Sequence, residues 1–180
     1  SMLEGVILYE ELGRSLAPTP HLVSCVLGAG ALVRAGSDAQ RDGWLPRIAS
    51  GEAILTPAWL EPDNSFGPKG VQMRAEADGD GFRLSGTKQH VQFAASADRL
   101  LVLARTGDAP DAVDLFLVDP SAEGVTLTQK MSISSDTQYR VDLDGVRVAA
   151  EDRVGAAGSG WATWERVMEE GMILAAALAN

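Results

Sequence analysis

Short apolar runs separated by turn residues dominate the chain from Glu52 to Val148. Such runs are typical of strands, and the Asp-Gly pairs between them, at 78–81 and 144–145, predict tight turns. One run, Leu100–Leu103, is apolar at every position, which predicts a strand that is buried on both faces. Many short strands at this spacing favour an antiparallel β-barrel or sandwich. The predicted strands are Ala53–Trp59, Val71–Ala77, Phe82–Leu84, Lys88–Phe93, Leu100–Ala104, Ala112–Val118, Gly124–Gln129 and Tyr139–Leu143.

The N-terminal part of the chain has its apolar residues at helical spacing instead. Gly13 is expected to end a first helix and Gly36 a second one, because glycine is a common helix terminator. Ser37 and Gln40 have the spacing of a capping box, which predicts the start of a third helix. We expect Pro46 to bend or shorten that third helix.

The last part of the chain, from Trp161 to Asn180, is again helical and has a broad apolar surface. A helix this apolar needs a partner, so we expect a truncated protein or one that is completed by another chain. The fold class is therefore α+β, with three predicted parts. They are a partial N-terminal helical domain (1–51), a middle β-domain of the antiparallel barrel or sandwich type (52–155) and one C-terminal helix of a truncated bundle (156–180).

Composition and charge argue against several classes of function. The 180 residues carry a net charge of −10, which would be repelled by nucleic acid and by anionic membranes. One cysteine and two histidines at distant positions give no disulfide framework and no metal site. No apolar run reaches the roughly 20 residues that a membrane span needs. The N-terminus lacks the features of a signal peptide, so we expect a cytoplasmic protein.

Several short motifs occur in order along the chain: EELG at 10–13, GSDAQR at 36–41, LSGTK at 84–88 and SDT at 135–137. Together they resemble the helix, hairpin and tail motifs of the acyl-CoA dehydrogenase family. The resemblance implies a flavoprotein that uses FAD to oxidise the α,β-bond of an acyl-CoA thioester in fatty acid metabolism. It also implies a homo- or hetero-oligomer that passes its electrons to an electron-transfer flavoprotein.

In that family two segments of the middle domain contact the flavin. They correspond to residues 59–67 and 88–92 here, where Leu60 replaces a threonine and Phe66 replaces a serine. His90 and Gln92 also depart from the family pattern, although His90 can stack and Gln92 can donate a hydrogen bond. Such donors stabilise the reduced ring. The resemblance implies that the cofactor contacts are Trp59, Leu60, Glu61, Ser65, Phe66, His90, Val91 and Gln92.

The resemblance also implies residues for the substrate. Ser135 is at the position that hydrogen-bonds the coenzyme A portion. Glu170 is at the position of the catalytic base in a branched-chain and long-chain group, whereas most members carry the base later in the C-terminal domain. Desolvation beside an acyl chain would raise the pKa of such a glutamate and suit it to removing an α-proton. Glu170 could instead be a solvated helix residue beside Glu169, and Gly171 replaces a coenzyme-contacting arginine.

Two other interpretations stay open. Leu60 and Phe66 favour a flavin-poor structural subunit of a heteromeric dehydrogenase, whose partner does the chemistry. A non-enzymatic binding module built on the β-domain is the other. Trp59 can be a flavin neighbour or ordinary core, and the segment 135–137 can be a simple turn.

Overall fold

The computed structural model describes residues 2–63, 66–132 and 137–179. Its helices are α1 (Met2–Arg14), a π-helix (Leu22–Gly28) that continues into α2 (Ala29–Ala35), α3 (Asp38–Ser50) and α4 (Gly160–Leu178). Its strands are β1 (Leu55–Ala58), β2 (Arg74–Asp78), β3 (Gly81–Gln92), β4 (Arg99–Arg105), β5 (Val113–Val118), β6 (Val125–Lys130), β7 (Gln138–Ala149) and β8 (Arg153–Val154). Short 3₁₀ turns span Pro68–Gly70, Ala94–Ser96 and Ala150–Asp152.

The strands form one sheet with the order β6-β7-β3-β2-β4-β5-β8, and β1 pairs with β4. Most neighbouring strands are antiparallel, whereas β1 and a single bridge from β2 run parallel to β4. Side chains from both ends of the sheet enter one core, so the sheet curls around it. The helices pack on the outside of β4 and β5 and form a second core there. This architecture confirms the α+β fold class.

Strand β4 separates the two cores, as its continuous apolar run predicts. Leu100 and Val102 point into the core that the sheet encloses. Leu101 and Leu103 point to the helices, and all four side chains are fully buried. A strand covered on both faces leaves no polar alternation in the sequence.

Two predicted details of the sheet are wrong. The predicted strands Phe82–Leu84 and Lys88–Phe93 fall on one long strand, β3, which ends at Gln92. The predicted turn at 144–145 is a bulge inside β7, because the single residue of β3 between Leu84 and Gly86 lies opposite two residues of β7, 144 and 145. Gly145 has φ of 63°, the left-handed conformation that glycine adopts without strain. An Asp-Gly pair therefore marks a bulge here rather than a chain reversal.

One prediction about the helices is also wrong, because Gly13 does not end α1, which continues to Arg14. Pro46 does not shorten α3, which continues to Ser50, and the alternative expectation of a bend at Pro46 stays a prediction. The predicted capping box is present, since the Ser37 side chain accepts from the Gln40 amide and the Gln40 side chain accepts from the Ser37 amide.

The final helix is covered in part by the first helix of the same chain. Leu174 and Ala177 of α4 are buried against Tyr9 of α1. The neighbouring side chains Met172 and Ile173 remain half exposed. Among the described residues, no helix is long and apolar enough to span a membrane.

Candidate functional site

The two segments expected to face a flavin are neighbours in the fold. The Gln89 amide donates to the carbonyl oxygen of Leu60 at 2.8 Å. The Thr56 hydroxyl in β1 donates to the carbonyl oxygen of Gln92 at 2.6 Å. Residues 59–61, which follow β1, therefore run beside the C-terminal end of β3. The structure thus brings residues 59–61 and 88–92 together at one edge of the β-domain.

A buried ion pair lies behind this edge. The ammonium group of Lys88 is fully inaccessible to solvent and lies 2.7 Å from Oε1 of Glu61. The same carboxylate accepts hydrogen bonds from the backbone amides of Gln72 and Met73 at 3.0–3.1 Å. Burial lowers the pKa of Lys88 to about 8, although the charge and hydrogen bond of Glu61 act in the opposite direction. The Glu61 carboxylate therefore faces inward, onto Lys88, rather than outward.

A bulge in β3 decides which of the predicted residues face outward. Lys88 pairs with Val141 and Val91 with Tyr139, so β3 has one residue more than β7 between these pairs. His90 adopts a left-handed backbone conformation in the bulge, with φ of 55°. As a result Lys88 and Val91 both point inward, and the side chain of Val91 belongs to the enclosed core.

The outward side of the bulge carries His90 and Gln92. His90 is exposed, and its Nδ1 lies 2.9 Å from Oε1 of Gln138 at the start of β7. With this amide orientation Nδ1 carries the proton, which leaves Nε2 of a neutral ring as an acceptor. The side-chain amide of Gln92 makes no hydrogen bond within the part of the chain that the structure describes. Both side chains can therefore bind a ligand.

Three aromatic rings flank the same edge. The Trp59 ring lies 6.1 Å from that of Phe66 and 5.7 Å from that of Trp164, centre to centre. Phe66 is 77% exposed, whereas Trp164, on α4, is fully buried. The Trp164 indole nitrogen is buried without a hydrogen-bond partner among the described residues. Trp59 thus joins the β-domain edge to the first turns of α4.

Glu170 lies further along α4. It is six residues beyond Trp164, which corresponds to roughly 9 Å of helix rise and about one and two-thirds turns, so the two side chains point about 120° apart around the helix. Its half-exposed carboxylate forms an ion pair with Arg34 of α2. The neighbouring Gly171 is buried, and a Cβ there would lie 2.6 Å from Cδ2 of Leu27. An arginine at position 171 would therefore require Leu27 to move.

Two predicted residues, Ser65 and Ser135, lie outside the described residues. Close to the second of them, the carbonyl oxygen of Thr137 accepts a hydrogen bond from the Phe93 amide at 2.9 Å. The start of β7 therefore lies directly beside the end of β3.

Sequence reasoning used Lys88 only as a family marker and missed its charge pairing. The signal was present, because Leu84, Gly86 and Lys88 alternate along β3 and so share the inward face. Trp164 was predicted only as part of an apolar helix surface, and its contact with Trp59 is a tertiary feature that no local pattern encodes.

Other polar groups of the described residues form no comparable binding site. No three His, Cys, Asp or Glu side chains within 2–63, 66–132 and 137–179 are placed to hold a metal ion. An open cleft of about 490 Å³ lies beside Asp98, Arg99 and Asp119. Its charges are already paired, Arg99 with Asp119 and Asp98 with Arg47.

Comparison with known proteins identifies relatives for nearly the whole chain. The family profile "Acyl-CoA dehydrogenase, middle domain" matches residues 57–146, and "Acyl-CoA dehydrogenase, N-terminal domain" matches residues 1–52. Acyl-CoA dehydrogenase FadE27 of Mycobacterium tuberculosis is 39% identical over 91% of this chain and 41% of its own length. The chain spans 26–47% of the length of the curated relatives that it matches.

Solved structures give the same result. The ChsE4–ChsE5 complex from Mycobacterium tuberculosis superposes with a TM-score of 0.83 and 34% identity, over 99% of this chain and 46% of the matched chain. A glutaryl-CoA dehydrogenase from Mycobacterium smegmatis in complex with FADH2 superposes with a TM-score of 0.78 and 30% identity, over 87% and 40%.

Proposed function

Since the chain belongs to the acyl-CoA dehydrogenase family, we propose that it forms the flavin-facing part of an FAD-dependent enzyme that oxidises the α,β-bond of an acyl-CoA thioester. The observation that carries this proposal is the meeting of residues 59–61, the end of β3 and the Trp164 side of α4 at one edge of the sheet. Residues 59–61 and the end of β3 lie within the match to the middle-domain profile, and one similar solved structure is a glutaryl-CoA dehydrogenase in complex with FADH2.

The residues at this edge fit a flavin. Phe66 and Trp59 offer aromatic faces for a flat ring. Gln92 offers a side-chain amide donor, and His90 offers an acceptor and a second face. Leu60 belongs to the same segment as Trp59. Glu61 and Val91 face the interior of the β-domain and support this edge from there. Ser65 completes the proposed set of cofactor contacts.

A bound flavin would supply the acceptor for the hydride that leaves the β-carbon of the substrate. Glu170 is then the proposed base, whose carboxylate takes the α-proton and becomes a neutral acid. To do so it must exchange its contact with Arg34 for the substrate. Ser135 is the proposed hydrogen-bonding residue for the coenzyme A portion.

The assembly and the surroundings follow from the same proposal. We expect the enzyme to pass its electrons to an electron-transfer flavoprotein. We also expect it to form a homo- or hetero-oligomer and to be located in the cytoplasm. The division into residues 1–51, 52–155 and 156–180 is the proposed domain organisation. The ends of α3 at Ser50 and the start of α4 at Gly160 support it.

The test is to purify the protein and record its flavin spectrum before and after adding acyl-CoA substrates under anaerobic conditions. A yellow protein with stoichiometric FAD that is bleached by an acyl-CoA supports the proposal. A protein that stays colourless when supplied with FAD, alone and with a partner dehydrogenase, contradicts it and leaves the binding-module interpretation.

A flavin-poor subunit of a heteromeric dehydrogenase is the second candidate. The likeness to a chain of the ChsE4–ChsE5 complex and the departures at Leu60 and Phe66 favour it. In that case the protein alone is colourless but purifies yellow together with a partner dehydrogenase. Restoring the family residues with Leu60→Thr and Phe66→Ser should then raise the FAD content of the protein alone.

A further inference from the structure

The buried pair of Lys88 and Glu61 needs an explanation beyond stability. A lysine without solvent access carries a large desolvation penalty, and an ion pair in such a place is seldom more stable than two apolar side chains. Its neighbours Leu84 and Val91 on the same inward face of β3 are apolar, so the surrounding core has no general need of a charge. Buried polar groups in such positions can instead fix one arrangement of the chain.

The contacts of the pair show which arrangement it fixes. Lys88 donates to the Glu61 carboxylate at 2.7 Å and to the carbonyl oxygen of Trp59 at 3.4 Å. Glu61 in turn accepts from the amides of Gln72 and Met73, just before β2. Three chain segments, 59–61, 72–73 and the end of β3, therefore converge on two charged side chains.

Segment 59–61 depends on these contacts, because it lies beyond the end of β1 and has no ladder of backbone hydrogen bonds. It has one backbone–backbone hydrogen bond to β3, in which the Gln89 amide donates to the carbonyl oxygen of Leu60, and Gln89 is the residue next to Lys88. The Trp59 ring is carried by this segment into contact with Trp164. Any loosening of the pair would therefore move Trp59 and the edge that faces the proposed flavin.

We infer that Glu61 and Lys88 are positioning residues of the flavin site. The ion pair ties segment 59–61 to β3, so that Trp59, His90 and Gln92 keep one mutual arrangement before the cofactor arrives. The inference rests on the proposed function for the flavin, whereas the tie between the segments is a property of the protein itself. Preorganisation of this kind increases affinity by reducing the ordering cost of binding.

The first measurement does not require flavin. Near-ultraviolet circular dichroism reports the packing of the Trp59 and Trp164 rings, and Trp59→Phe defines the part of the signal that belongs to this pair. Lys88→Met should lose most of that part. The matched control is Val148→Ala, which removes volume from the same core where β7 pairs with Phe82, at the far end of β3. The control should lower the melting temperature but keep the tryptophan signal.

The double variant Glu61→Gln/Lys88→Met separates charge pairing from packing. It leaves no unpaired carboxylate in the core, and a glutamine oxygen still accepts from the amides of Gln72 and Met73. It should therefore recover part of the signal that Lys88→Met loses. A double variant that loses as much of the tryptophan signal as Lys88→Met, or more, would overturn the inference.

The second measurement is FAD affinity, followed by flavin fluorescence in the protein, with its partner dehydrogenase if it needs one. Lys88→Met should weaken binding about tenfold or more, and Val148→Ala should not. Equal affinities in wild-type protein and Lys88→Met, or an unchanged tryptophan signal, would overturn the inference. Loss of the tryptophan signal in a protein whose wild type binds no FAD would support the positioning role and contradict the proposed function.

Discussion

Gly13 of α1 and Leu178 of α4 touch so closely that a Cβ at position 13 would lie 2.0 Å from the carbonyl oxygen of Leu178. The absence of a side chain therefore sets the distance between the two helices. The sequence suggests a helix terminator at this glycine, but its role is to allow helix packing. The contact also anchors the end of α4, whose Leu174 and Ala177 pack against Tyr9.

Replacing Gly13 by alanine should force the two helices apart. Overpacking against backbone costs about 1–3 kcal/mol of unfolding free energy, more than alanine returns through its better helix propensity. The matched control is Gly43→Ala on the exposed face of α3, where a Cβ would meet nothing within 4 Å. That change should stabilise by about 0.5–1 kcal/mol. Urea unfolding curves measure both, and equal effects of the two substitutions would contradict the packing role of Gly13.

The pair of Lys88 and Glu61 predicts a pH dependence of stability. The pKa of Lys88 falls from 10.5 to about 8 on burial, so between these values the unfolded chain binds more protons than the folded one. Folding stability contributed by this residue therefore rises with pH in that window, by on the order of 2 kcal/mol from pH 8 to pH 10. The stability difference between wild-type protein and Lys88→Met, from urea unfolding at each pH, should show this rise. A difference that is flat from pH 8 to pH 10 would exclude a lowered pKa.

Tyr9 should act in the opposite direction at higher pH. Burial raises its pKa to about 12, with a smaller contribution from the charge of Cys25, and its hydroxyl is hydrogen-bonded to His21. The folded state thus holds this proton where the unfolded state has lost it. The stability from this residue is complete below pH 10 and is lost as the pH rises to about 12.

The absorbance of the tyrosinate checks this prediction, because the chain has only two tyrosines. In Tyr139→Phe the remaining tyrosine should titrate near pH 12 in the folded state. Tyr9→Phe should remove this transition near pH 12. A Tyr9 that titrates at pH 10 in the folded Tyr139→Phe protein would contradict its buried environment.

Features of the fold that are set by a local sequence pattern could be predicted from the sequence. The run Leu100–Leu103 predicted a strand covered on both faces, and Ser37 with Gln40 predicted a helix start, because both patterns act locally. The pair at 144–145 was misinterpreted because Asp-Gly favours a left-handed backbone, which a hairpin turn and a bulge share. Only the pairing partner of the strand distinguishes the two.

The candidate site could be predicted only in part. Its two segments were found from family motifs, but the bulge at His90 decides which side chains face outward. The extra residue in the bulge turns the side chain of Val91 from the outer to the inner face of the sheet. The simple alternation of inward and outward residues along a strand does not predict such a bulge. The partner of Glu61 likewise depends on tertiary structure, since Lys88 is 27 residues away along the chain.

The last prediction concerns Glu170, whose proposed role can be separated from any structural one. Its ion pair with Arg34 joins two half-exposed side chains, so Glu170→Gln should change the unfolding free energy by less than about 1 kcal/mol. In the flavin-loaded enzyme the same variant should lose reduction of the flavin by acyl-CoA, because an amide cannot take the α-proton.

The neighbouring carboxylate provides the control for that experiment. Glu169 is equally exposed on α4 and pairs with Arg166, so Glu169→Gln should retain both stability and flavin reduction. Arg34→Met should also retain activity, since the base must leave this partner in order to reach the substrate. If Glu170→Gln and Glu169→Gln reduce flavin at the same rate, the base lies elsewhere in the enzyme and the Arg34–Glu170 pair is a surface contact between α2 and α4.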